Sequence, residues 1–352
     1  MKVPGLADAV LVSLPENHDP SKSWPAVFSY HGFNGRPETR MTRSHTGMKD
    51  WIVIGMGYTQ KGKYKVGAED VANELKVFRD VRDQLAKTQG LDPKRVFVTG
   101  YSKGGWMTDT LLQAAPDFAG GAILMGGHLP TALKNSPTQD KGRPIFIGVG
   151  RLDPNHLPSL KGLLFYRGLG LPTSFEAWPG LGHDFPREGS VGLREWYVLQ
   201  NGGKSDEKAL EEEFASLLKR PALEAWLGLI GLQERPFCST MGSSWPDRIA
   251  KELERLEKDR SVALEAKIRM THRQLLAREL KMKTLDDLRN IHTGYMKLGG
   301  VKSVRSKEME HDHRRIMAVL KNTEAVPVQR PAAIVPDLPE NERAIPRNPL
   351  IR

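Results

Sequence analysis

A chain of 352 residues is long enough for one large domain or two ordinary ones. Its 39% hydrophobic and 27% charged residues suit a globular protein, and no apolar run nears the roughly 20 residues of a membrane-spanning helix, which excludes a bilayer crossing by such a helix. The net charge of +10 divides equally between residues 1–200 and 201–352, with acids interleaved as in DRIAKELERLEKDR, so it describes solvated helix faces and excludes a clustered nucleic-acid footprint.

The opening MKVPGLADAVLVSLPE lacks the apolar core and small-residue cleavage site of a signal peptide. The lone Cys238 excludes an internal disulfide. Short apolar runs then alternate with amphipathic segments, the pattern of a mostly parallel sheet covered by helices. Strands are expected at 9–14, 25–30, 51–56, 95–100, 121–126, 144–150 and 173–178. Runs such as VFVTG and IFIGVG are apolar on both faces, as central parallel strands are. Between them, Val71, Leu75, Phe78, Arg82 and Leu85 share one helical stripe, which LDPK (91–94) closes.

Beyond Trp196 the strands stop. NGGKSDE (201–207) reads as a hinge, and residues 206–322 form a helical C-terminal region with Pro246 in the first turn of one helix, a stop at LGG (298–300) and a last helix at HDHRRIMAVLK. Residues 326–352 read as a proline-rich, extended or disordered tail. These boundaries predict domains at 1–200 and 206–322.

GYSKGG (100–105) lies between the RVFVT strand and the helix expected from WMTDTLLQAAP, the strand-turn-helix setting of a nucleophile elbow centred on Ser102. A serine hydroxyl needs a base, a group that orients the base, and donors for an oxyanion. PIFIGVG runs into Asp153 and TSFEAW runs toward His183, each beyond a strand's carboxyl end and in the order serine, acid, histidine. The backbone N–H of Lys103 is one expected oxyanion donor, and that of Phe33 in HGFNG (31–35) is the other. His31 is expected to be a structural histidine.

Asp109 and Asp140 read as surface residues, and Asp184 as a neighbour tuning the loop of His183. His128, Tyr58, Trp106 and Trp178 are candidate substrate contacts, with core packing the competing explanation for each. His311 and His313 lack a third ligand at metal spacing and read as an exposed helix face. GYTQKGKYK (57–65), together with Lys103, offers positive charge to an anionic substrate, with a solvated loop as the alternative.

HGFNG, GYSKGG, APDFAGGAILMGG (115–127), GRLDPNH (150–156) and WPGLGHDFP (178–186) make residues 1–200 resemble the α/β-hydrolase superfamily, and within it the polyhydroxybutyrate depolymerase, feruloyl esterase and acetylxylan esterase group. That resemblance implies ester hydrolysis through an acyl-enzyme on bulky, cell-wall or polymeric esters, without metal or organic cofactor, and in a secreted or periplasmic setting. Lys103 departs from the small or apolar residue often found after the nucleophile, and the helical region has no counterpart in the group. A peptidase of the prolyl-oligopeptidase type, or a helical region serving partner binding or homo-oligomer formation, are the alternative expectations.

Overall fold

A computed structural model describes residues 1–6, 8–59, 68–130, 142–239 and 244–324. Within it the apolar runs become β1 (Leu11–Ser13), β2 (Trp24–Tyr30), β3 (Ile52–Met56), β4 (Leu91–Tyr101), β5 (Gly120–Leu124), β6 (Ile145–Gly150) and β7 (Thr173–Trp178). They pair in the order β1-β3-β2-β4-β5-β6-β7, with β1 antiparallel to β3 and every other pair parallel. The LDPK segment expected to close a helix instead opens β4, because Leu91 pairs with Trp24 across a register shift.

Strand periodicity divides the apolar residues between two layers. Phe28, Ile54 and Val98 pack with Phe78 of α2 (Ala68–Gln89), Met107 of α3 (Lys103–Ala114) and Tyr166 of α4 (His156–Gly168). Val27, Val53 and Phe97 face the opposite way, against Trp196 and Tyr197 of α5 (Val191–Gln200), with Met41 of α1 (Arg40–Thr46) at the margin. Each large apolar side chain so buried contributes about 1.5–3 kcal/mol. The mostly parallel sheet covered on both faces, with its first strand antiparallel, is the arrangement expected of the α/β-hydrolase fold, here followed by further helices.

The described residues divide into two compact units, 1–205 with 234–239, and 206–233 with 244–324. The return of 234–239 to the first unit has a physical cause: Arg235 grips the buried Glu195 of α5 through Nε at 2.7 Å and through Nη2.

The second unit contains α6 (Glu207–Leu218), α7 (Ala222–Gln233), α9 (Trp245–Leu256), α10 (Arg260–Glu279), α11 (Leu285–Gly299) and α12 (Ser306–Glu324), while the short α8 (Pro236–Ser239) belongs to the first. Side-chain caps break the helical tract into these pieces. Asp259 accepts from the N–H groups of Ser261 and Val262, and Thr284 forms a reciprocal capping box with Asp287. Ile268, Leu275, Leu288, Ile291, Tyr295 and Ile316 form the apolar core of α10, α11 and α12.

HDHRRIMAVLK also departs from a plain exposed face. His311 and His313 are half-buried, while Asp312 between them is 1% exposed and meets His272 Nε2 at 2.7 Å. Arg315 joins Asp312 Oδ1 at 2.6 Å and clamps both oxygens of Glu279 at 2.7 and 2.8 Å. No group of three metal-ligating side chains occurs among the described residues. The proline-rich tail lies outside them.

Removing one partner of a buried charge pair strands the other without water. Arg315→Met is expected to destabilise the second unit by about 3–5 kcal/mol, read as a lower urea midpoint for helix loss.

Candidate active site

The reversal of strand order between β3-β2 and β4-β5 places the carboxyl ends of β2 and β4 side by side, where open α/β sheets form their crevices. Ser102 stands at the end of β4 with φ 56° and ψ −120°, a left-handed conformation costly for a side-chain-bearing residue. Its N–H donates to Leu124 O at 2.9 Å, and its carbonyl accepts from Trp106 N at 3.1 Å. The flanking glycines are sterically required. A Cβ on Gly104 would lie 2.1 Å from Tyr30 O, and one on Gly100 would lie 2.5 Å from the Gly104 backbone.

His183 Nε2 stands 2.8 Å from Ser102 Oγ, and its Nδ1 stands 2.8 Å from Asp153 Oδ2. A carboxylate only accepts, so Nδ1 carries the proton toward Asp153 and Nε2 is free to accept the serine proton. Asp153 is fully buried at the end of β6, whereas the His183 side chain is 41% exposed. The bond from Asp153 raises the His183 pKa above its ordinary value; burial opposes this, and the charges of Asp153 and Asp184 add to it.

A second set of contacts orients the acid, and sequence reasoning missed it. Asp153 Oδ1 accepts from Asn155 N at 2.8 Å, while Asn155 Nδ2 donates to Met125 O at 2.7 Å. The spacing Asp-Pro-Asn is a legible Asx-turn signal, but only the fold brings Met125 next to it.

Lys103 is the first residue of α3, so its N–H has no partner within the helix, and Phe33 lies in the loop after β2. His31 is buried there, its Nδ1–H donating to Gly32 O at 2.6 Å, and burial lowers its pKa. The four candidate substrate contacts are all at least partly buried. Tyr58 and Trp178 are buried, Tyr58 donating to His31 O and Trp178 packing edge-on against Phe185. His128 is buried against Phe165, with ring centroids 3.9 Å apart. Trp106 is half-buried, its ring lying over Gly127.

Asp109 is a correction. Expected at the surface, it is fully buried and accepts from His128 Nδ1 at 3.0 Å, Tyr166 OH at 2.7 Å, Gln113 Nε2 at 2.8 Å and Leu129 N at 2.9 Å. Tyr166 of α4 and the chain after β5 supply the partners that cover it. Lys103 is a second correction: it is 7% exposed and lies over the Tyr58 ring, so its ammonium faces protein rather than solvent. Asp140 and residues 60–65 of the lysine-bearing loop lie outside the described residues.

No family model matches the chain. Among curated proteins it is 30% identical over 135 residues to a probable carboxylesterase, SOBER1-like, of Arabidopsis thaliana, covering 36% of this chain and 52% of that one. It is 27% identical over 150 residues to carboxylesterase SOBER1 of the same plant, covering 40% and 66%, and 30% identical over 131 residues to the putative hydrolase MhqD of Bacillus subtilis (strain 168), covering 37% and 64%. The chain spans about half to two thirds of the length of these relatives. Among solved structures it overlaps a phospholipase/carboxylesterase from Dyadobacter fermentans DSM 18053 at 15% identity and TM-score 0.45, over 55% of this chain and 97% of that one. A Bacillus cereus carboxylesterase gives 16% identity and TM-score 0.45, over 55% and 95%.

Because Asp153 holds the proton on His183, Asp153→Asn is expected to lower the imidazole ionisation. NMR titration of the His183 Cε1–H in both proteins measures it, and an unmoved midpoint would assign the shift elsewhere.

Proposed function

We propose that the protein is a serine carboxylic-ester hydrolase. The observation that carries this is the hydrogen-bonded chain from Ser102 Oγ through His183 to the buried Asp153, and the carboxylesterases among the curated relatives support it. His183 takes the Ser102 proton as Oγ attacks the acyl carbonyl, and the imidazolium so formed is stabilised by Asp153. The tetrahedral oxyanion is held by the N–H groups of Phe33 and Lys103. Collapse breaks the ester C–O bond, with His183 returning its proton to the leaving alcohol. Water then attacks the acyl-enzyme with His183 again as base, and Ser102 leaves with the proton restored.

For the finer substrate class, bulky or polymeric esters are favoured by the short interval between Leu124 of β5 and Ile145 of β6, which leaves no room there for a large helical cap. The secreted or periplasmic setting rests on the family resemblance. Self-association of the helical unit is the second reading, and light scattering measures it.

Ser102→Ala is expected to lower turnover of a p-nitrophenyl ester by about 10⁴-fold or more while leaving the circular dichroism spectrum unchanged. Retained turnover would sink the assignment, and parallel peptide substrates separate it from peptidase activity. Because the base must be neutral, kcat/KM is expected to rise with pH through an ionisation above the usual imidazole value of about 6.5.

A further inference from the structure

We propose that Lys103 is a positioning residue that locks the two donor segments of the oxyanion pocket to each other, an inference that rests on the ester-hydrolase reading above. Its main-chain N–H opens α3 beside the nucleophile, and its side chain reaches the other donor segment. Lys103 Nζ lies 3.9 Å from the centroid of the Tyr58 ring and 5.9 Å from that of Phe33, the residue whose N–H is the second donor.

Tyr58 is itself tied to that segment. Its hydroxyl donates to His31 O at 2.5 Å, and its ring meets the His31 imidazole edge-on at 4.8 Å. Glu74 of α2 anchors the next residue, Thr59: 1% exposed, it accepts from the Thr59 N–H at 2.6 Å and the Thr59 hydroxyl at 2.7 Å. Its negative charge also favours the Lys103 cation, against the burial that disfavours it. The chain of contacts runs from α2 through Thr59 and Tyr58 to the loop of His31, Gly32 and Phe33, and Lys103 closes it onto the elbow. An ammonium held between two rings is positioned to fix backbone donors, where a misplacement near 1 Å costs about 100-fold in rate.

The test compares Lys103→Met, which keeps an unbranched side chain without charge, with Lys103→Arg, which keeps a cation over the ring. Steady-state and single-turnover kinetics on p-nitrophenyl acetate are measured beside thermal midpoints. Lys103→Met is expected to lower kcat about 10- to 100-fold with KM changed less than about twofold, and Lys103→Arg to restore most of that loss. Tyr58→Leu, which removes the platform and leaves Lys103 in place, is expected to reproduce the loss should the methionine variant fail to fold.

A folded Lys103→Met with wild-type kcat overturns the proposal. So do equal losses in the methionine and arginine variants, which would mark packing alone. Fluorophosphonate labelling separates the two readings: a wild type unlabelled at Ser102 overturns the hydrolase reading itself, whereas a labelled wild type beside a fully active Lys103→Met overturns only the coupling.

Discussion

The first turn of α3 passes so close to the end of β2 that Tyr30 O would stand 2.1 Å from any Cβ at position 104. This contact lets the chain turn from β4 into α3 at Ser102, and it brings the loop after β2 to the base of that helix. The left-handed φ of Ser102 is held by bonds on both sides, from its N–H to β5 and from its carbonyl to Trp106. Strain at one residue is thereby supported by the sheet and the helix together, and the hydroxyl is presented above the sheet.

Around that turn, burial assigns the ionisable groups their work. Asp153 and Asp109 are both fully buried carboxylates in the same unit, yet one faces a half-open histidine and the other a closed set of four donors. In the proposed reaction Asp153 stabilises the charge that appears and disappears on His183. Asp109 has its lone pairs committed to His128, Tyr166, Gln113 and Leu129, and it ties α3 and α4 to the chain after β5. The chemistry of the carboxylate is identical, and its neighbours decide whether it faces one half-open imidazole or a closed set of donors.

The helical unit uses the same physics for stability. Arg315 shared between Glu279 and Asp312, with His272 completing the set, places opposite charges where water is scarce. Such a set ties α10 to α12, and a slipped helix would strand a charge.

Much of the first unit was legible before any coordinates. Apolar runs of strand length marked all seven strands, and glycines at 100 and 104 marked the turn at Ser102. What could not be read was which neighbours each polar residue meets. Asp109 on a helix and Lys103 beside a serine look exposed in one dimension, because sequence spacing fixes the face of an element but not what covers it. The helical tract read as fewer, longer helices because its breaks depend on side-chain caps at Asp259 and Thr284. By itself the sequence determined the strand pattern, the elbow and the order of Ser102, Asp153 and His183, since these depend on local periodicity and turn chemistry. Only the tertiary structure decided the 2.8 Å contacts among those three, the burial of Asp109 and the stacking of Lys103 on Tyr58. Those arise from segments far apart in the chain whose approach is set by the packing of the sheet and its helices.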